Sequence, residues 1–251
     1  MRAWLIDLET CPSTNTWALE RIDALAHGAC IWTRQQTAGR GRNGSLWVAP
    51  AGVLTASFVL HLPASTPQIA LAAGLAVVHA VEDRCPHLRV GLKWPNDCVL
   101  TTSAGQPGKL AGILCERATG PAGRGHVVVG IGLNCDPCWN DNPESLRLAI
   151  GRTYPPTSLA EHTPDVPDMR DLLDGLRRYL LEAAGLLQAD HWHTIIDSWR
   201  ERDVLRGKRI SVASGGETLH GHAGGIDDHG RLTLNQATGT VALTSGSITL
   251  S

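Results

Sequence analysis

The chain has 251 residues, 43% of them hydrophobic, with 22 Lys and Arg against 24 Asp and Glu and a formal net charge of -2. That length supports one large domain with a proper core plus a small one, and the lack of a basic excess argues against a nucleic-acid partner held by a global field. Seven scattered cysteines fit free thiols in a reducing cytosol better than a disulfide framework, the start MRAWLIDLET places Asp7 and Glu9 where a signal peptide would be apolar, and no window is apolar enough to span a bilayer, so a cytoplasmic protein without membrane attachment is expected.

In chain order, STNTWALERIDALAHG (13–28) predicts a helix with Ser13, Thr14 and Asn15 as N-cap candidates and Gly28 as its C-cap. CIWT (30–33) reads as a short strand, and GVLTASFVLHL (52–62) as a stronger one with Leu54, Ala56, Phe58 and Leu60 on one face. TPQIALAAGLAVVHAVED (66–83) is a buried helix with Pro67 near its first turn. VGLKW, CVLTT, KLAGILCE and HVVVGIGLNC follow as strands, and the short Gly- and Pro-rich gaps between them suit antiparallel neighbours. The stretch 136–167 is irregular. MRDLLDGLRRYLLEAAGLLQ (169–188) is an amphipathic helix, and DHWHTIIDSWRERD (190–203) is a second. From Arg206 onward, short β-segments and Gly-rich turns predict a small β-barrel. The expected fold is α+β: a mixed or largely antiparallel sheet packed with helices over 1–205, and an SH3-like barrel over 206–251.

QTAGRGRNGSLW (36–47) contains G-x-G-x-x-G in Gly39, Gly41 and Gly44. A dinucleotide site needs that third glycine to open a helix, but Pro50 and Gly52 and a strand follow here, which argues against it. The other reading is a loop that closes over a polyanion. The glycines make it permissive, Arg40 and Arg42 offer forked donors to phosphate, and Trp47 offers a stacking face. The bland alternative is an exposed basic turn with Trp47 in the core.

Five segments in order change that balance: STN (13–15), the Gly/Arg loop, KWPND (93–97), KLAGIL (109–114) and GIGLN (130–134). Together with the β-rich tail they resemble the biotin–protein ligases over nearly the whole chain. The resemblance implies a two-step ligase of the monofunctional type, without an N-terminal DNA-reading module. Biotin's carboxylate attacks the α-phosphate of ATP to give biotinyl-5′-adenylate. A lysine of a biotin carboxyl carrier protein of a carboxylase then displaces AMP. The implied ligands are biotin, ATP and Mg²⁺; the chain would be a monomer or homodimer and would bind no nucleic acid.

By the same resemblance, Arg42 holds the adenylate and Lys109 reaches both the biotin carboxylate and the α-phosphate; these two are the catalytic candidates. Biotin-binding candidates are Ser13, Thr14, Asn15, Gln36, Arg40, Gly41, Arg42, Lys109 and Gly112. Nucleotide-binding candidates are Gly39, Arg40, Arg42, Trp47, Gly132 and Asn134. Asn96 and Asp97 are hard oxygen ligands of the type Mg²⁺ accepts, and an Asx turn is their structural alternative. Lys109 also reads as a solvated strand end, Ser13 to Asn15 as a plain cap, and Gly112 and Gly132 as bulge glycines.

Asn43 and Ser45 stand where many family members carry basic residues, so the loop is less cationic than usual. Cys135 and Cys138 have C-x-x-C spacing, but His191 and His193 lie at i and i+2 of a helix and complete no zinc site. Two rival readings remain: a lipoate or octanoate ligase or transferase of the same fold, and a biotin-sensing module without turnover.

Overall fold

The computed structural model describes residues 2–63, 68–101, 105–120, 125–137 and 154–250. A seven-stranded sheet organises the first part in the order β1-β2-β3-β7-β6-β5-β4. Its strands are β1 (Leu5–Cys11), β2 (Cys30–Gln36), β3 (Val53–Leu60), β4 (Gly91–Lys93), β5 (Asp97–Thr101), β6 (Pro107–Thr119) and β7 (Gly125–Asn134). Only β1 and β2 run parallel; the other pairs are antiparallel, as the short gaps between them predict. The mixed α+β expectation holds.

The helices are α1 (Thr14–Leu19), α2 (Ile69–Glu82), α3 (Met169–Gln188) and α4 (Trp192–Arg200). Period two divides the sheet between two tasks. On β3, Leu54, Ala56, Phe58 and Leu60 join the large core with α2 and α3. Val59 on the other face joins a smaller cluster with Ala18, Ile22, Ile31 and Val128. Thr55 and Ser57 share that second face and are buried. Since β3 is covered on both faces, all eight of its residues are buried.

The helix expected over 13–28 is shorter. Ser13 caps it by accepting from the Thr16 N–H at 3.4 Å, and α1 ends at Leu19, before a 3₁₀ turn at Ile22–Ala24. That turn delivers Ile22 and Leu25 to the small core cluster, which a straight helix would not. Gly28 does not cap the helix but sits alone at φ 77°. Pro67 lies outside the described residues.

The tail forms a five-stranded antiparallel sheet in the order β11-β10-β9-β8-β12: β8 (Arg209–Ser214), β9 (Glu217–Ile226), β10 (Leu232–Gln236), β11 (Gly239–Leu243) and β12 (Ser247–Leu250). Among the described residues β11 and β12 do not pair, so the expected barrel is an open sheet here. It packs on the first part through a shared core that includes Ile210, Val212, Leu232 and Leu234. The Trp94 indole N–H, on the cis Trp94–Pro95 turn, donates to the Gly230 carbonyl at 3.0 Å. Leu92 exchanges backbone hydrogen bonds with Arg202 and Val204 at 2.7 and 3.0 Å.

Candidate active site

The α1-side face of the sheet carries the site. Cross-strand register sets Thr55, Gly132 and Gly112 in one row and Ser57, Gly130 and Leu114 in the next. Three of these six positions are glycine, so the sheet is hollow there. A cavity of about 400 Å³ opens above the rows, within the range of small-molecule sites. It gathers Ser13, Thr14, Asn15, Gln36, Arg40, Gly41, Arg42, Trp47, Asn96, Asp97, Lys109, Gly112 and Gly132 into one lining. Thirteen of the fifteen residues singled out in the sequence therefore meet in space.

The two ends of the cavity differ in chemistry. One end is neutral and hydrogen-bonded. Gln36 Oε1 accepts from the Thr14 N–H at 2.9 Å and from Thr14 Oγ1 at 3.4 Å. Ser57 Oγ lies 2.7 Å from Thr14 Oγ1 and donates to Asn15 Oδ1 at 2.5 Å. The Asn15 amide is spent: its Nδ2 donates to the Leu114 carbonyl at 3.1 Å and to Glu116 at 2.8 Å. Gly130 makes room for it, because a Cβ there would lie 2.4 Å from Asn15 Oδ1.

The other end is cationic. Lys109 Nζ stands 2.6 Å from Asp97 Oδ1 and Lys93 Nζ 3.2 Å from Asp97 Oδ2, all three side chains being largely buried. Arg42 donates to Asn96 Oδ1 at 3.1 Å, and Asn96 Nδ2 donates to the Ile113 carbonyl at 2.8 Å. Two ammoniums thus pair with one carboxylate, and a guanidinium stands beside them on Asn96. Burial pushes the Asp97 pKa up, but the ammoniums of Lys109 and Lys93 outweigh it and hold the carboxyl below its usual range. Burial lowers the Lys93 and Arg42 pKa values, with Asp97 opposing in both cases.

The expected direct metal contact through Asn96 and Asp97 does not fit this donor set. Both Asp97 oxygens face ammonium groups and Asn96 Oδ1 faces a guanidinium, so a divalent ion would meet three cations and lose the oxygens they hold. Among the described residues no group of three His, Cys, Asp or Glu could hold a metal. Cys135 is buried, with its thiol pushed up to about 12, His191 only precedes α4, and Cys138 lies outside the described residues.

The Gly/Arg segment is a tight hairpin. Trp47 N–H donates to the Gly39 carbonyl at 3.0 Å, and Gly41 N–H to the Ser45 carbonyl at 2.7 Å. Asn43 occupies the left-handed region at φ 54°, which asparagine tolerates well. Gly44 leads to extended backbone, not a helix, so the dinucleotide reading fails. The hairpin lays the Trp47 indole on the hollow floor. A Cβ at Gly132 would lie 2.3 Å from the ring, and one at Gly112 3.0 Å. Lys109 Nζ stands 5.6 Å from the ring centre.

Two expected residues stand outside the lining. Gly39 borders an adjoining cleft with Glu9 and Arg34. Asn134 is 3% exposed, and its Nδ2 donates to the carbonyls of Lys109 at 3.2 Å and Thr157 at 2.9 Å. Pro155 and Thr157 also bond the Lys109 backbone, at 2.6 and 2.9 Å, so Asn134 braces Lys109 from below. Sequence reasoning missed Lys93, Tyr154, Thr55, and the contribution of 246–249 from the tail. Lys93 belongs to a quoted motif, and its place in KWPND beside Asn96 and Asp97 was the available signal.

Residues 8–134 match the model of the Biotin/lipoate A/B protein ligase family, and residues 206–251 that of the Biotin protein ligase C terminal domain. The chain is 34% identical to a biotin–[acetyl-CoA-carboxylase] ligase of Paracoccus denitrificans, over 90% of this chain and 92% of that one. It is also 34% identical to one of Mycobacterium tuberculosis, over 94% and 85%. The biotin protein ligase of Aquifex aeolicus, solved with biotin and ATP, shares the fold at a TM-score of 0.80 and 24% identity, covering 98% of each chain. By these matches, and by a site assembled from the motifs that suggested it, the chain belongs to the biotin/lipoate A/B protein ligase family, on its biotin protein ligase branch.

Proposed function

We propose that the protein activates biotin with ATP and transfers it to a lysine of a biotin carboxyl carrier domain. One observation carries this reading: a single cavity has a neutral, amide- and hydroxyl-rich end and a three-cation end. The neutral end suits biotin's ureido ring, whose buried donors and acceptors need matched partners. The cationic end suits the meeting of biotin's carboxylate with a triphosphate, where fixed positive charge offsets repulsion between two anions.

In the first step a biotin carboxylate oxygen attacks the α-phosphorus and pyrophosphate leaves with the electron pair of the broken P–O bond. In this reading Lys109 faces both the carboxylate and the α-phosphate, Arg42 holds phosphate charge across the mouth, and Lys93 keeps Asp97 occupied when Lys109 turns to substrate. In the second step the acceptor amine attacks the acyl carbon; an amide forms, AMP leaves, and the amine loses its proton. Mg²⁺ would accompany the polyphosphate, carried by phosphate oxygens and water, because Asn96 and Asp97 are otherwise engaged. Gly39, Gly41 and Trp47 would shape the hairpin over the adenylate, and Asn134 would act through Lys109.

The relatives named above are biotin ligases, which disfavours both the lipoate or octanoate reading and the non-catalytic sensor. We further assign the catalytic unit to 1–205 and the small unit to 206–251, and we place the protein in the cytoplasm. No described helix is long and apolar enough to cross a membrane. The test is mass spectrometry of a carrier domain after incubation with biotin, ATP and Mg²⁺. One biotin on one lysine, with equimolar AMP, is expected; acylation by lipoate or octanoate in preference to biotin would overturn the substrate.

A further inference from the structure

β6 carries its site-facing residues at every second position: Gly112, Leu114 and then Glu116. Glu116 is the last of the row and does not line the cavity. Its carboxylate nevertheless joins two separate parts of the site. Arg40 Nη2 donates to both carboxylate oxygens, at 3.0 and 2.8 Å. Asn15 Nδ2 donates to Oε2 at 2.8 Å, while Asn15 Oδ1 accepts from Ser57. One carboxylate therefore ties the first arm of the hairpin to Asn15 in the first turn of α1 and, through Ser57, to β3.

This also divides the two loop arginines. Arg42 reaches Asn96 at the cationic end, whereas the charge of Arg40 is met by Glu116. Between them the arginines hold the hairpin at two points on either side of Gly41. Glycines at 39, 41 and 44 leave the hairpin little stiffness of its own, so its closed position depends on such anchors.

We propose that Glu116 is a positioning residue, the fixed half of a latch whose moving half is Arg40, and that this latch sets how long the hairpin stays closed over the acyl-adenylate. The proposal rests on the adenylating reading only for the identity of the ligand. The latch itself is a contact between two side chains of the chain, Arg40 and Glu116, and includes no ligand atom. Arg40 is 44% exposed and Glu116 23%, so solvent screens the pair and its contribution is modest.

The test is amide hydrogen exchange of the 37–47 segment in ligand-free protein, for E116Q, R40Q and the double variant. E116Q keeps an oxygen for Asn15 and removes only the charge. Each single variant is expected to speed exchange about fivefold, equivalent to about 1 kcal/mol, and the double variant no more than either. E116Q without effect, or single effects that multiply in the double, would overturn the latch. With biotin and ATP bound, E116Q is expected to release biotinyl-adenylate about fivefold faster; unchanged release despite faster exchange would overturn the role in retention. If the wild-type chain forms no adenylate, the functional reading fails, and the exchange cycle still decides the latch.

Discussion

Gly132→Ala is the most informative single perturbation of the site. A Cβ at this position would lie 2.3 Å from two carbons of the Trp47 indole and 2.6 Å from its nitrogen. Ordinary carbon contacts begin at about 3.5 Å, so the ring must retreat by more than about 1 Å. Gly132 is not at positive φ, so the added methyl strains no backbone and the effect is steric. Among the described residues the indole nitrogen has no hydrogen-bond partner, and the ring rides on a hairpin, not in the rigid core. The hairpin is therefore what gives way. Overpacking costs about 1–3 kcal/mol, and here it falls on closure of the hairpin. Release of biotinyl-adenylate, followed by filter binding after a chase, should speed up between about fivefold and 150-fold. The melting temperature should stay within about 3 °C of wild type, because global packing is untouched. Unchanged release, with the fold intact, would refute the claim that the Trp47 seat on Gly132 holds the hairpin closed.

The other predictions concern the cationic end. Lys109→Ala should lower adenylation by about 100- to 1,000-fold, the usual loss when one positioned charge-stabilising group is removed; near-normal pyrophosphate exchange from this variant would remove Lys109 from the site. Arg42→Ala should speed adenylate release with adenylation less affected, and equal losses in both steps would contradict that role. Asp97→Asn leaves Lys93 and Lys109 without their shared counter-ion. The folded pKa of Asp97 lies below its usual 3.8, so its stabilising contribution is complete above about pH 4 and is lost as pH falls through the folded value. Urea titrations should therefore show Asp97→Asn less stable than wild type at pH 7, with the two converging in acid; a constant difference down to low pH would contradict the sign.

Much of the sheet was legible because its strands are short apolar runs set between Gly- and Pro-rich gaps, with Leu54, Ala56, Phe58 and Leu60 marking the core face of β3. The opposite face carried the site, and its polar members, Thr55 and Ser57, belong to none of the motifs that marked it. Strand β1 was not legible: Asp7, Glu9 and Thr10 dilute its apolar pattern because it is an edge strand paired only to β2. The length of α1 was misread because tertiary packing of Ile22 and Leu25, not local propensity, ends it. At the site, motif order found the right neighbourhood but not every role. Asn134 and Asn15 have side-chain types suited to ligand contact, yet which partner takes each amide depends on segments that meet only in the fold. For Asn134 that segment is 155–157, some twenty residues downstream; for Asn15 it is the carbonyl of Leu114 and the carboxylate of Glu116. Glu116 itself reads in sequence as one more charge on a strand. Only the β6–β7 register and the path of the hairpin bring it beneath Arg40.

Adenylation of biotin between the two chemically distinct ends of the cavity is tested most directly by ATP–pyrophosphate exchange in the presence of Mg²⁺, with biotin, lipoate or octanoate as the acid. Exchange that depends on biotin and is lost in Lys109→Ala is expected. Exchange driven by lipoate or octanoate, or none from folded protein with any of the three acids, would contradict it.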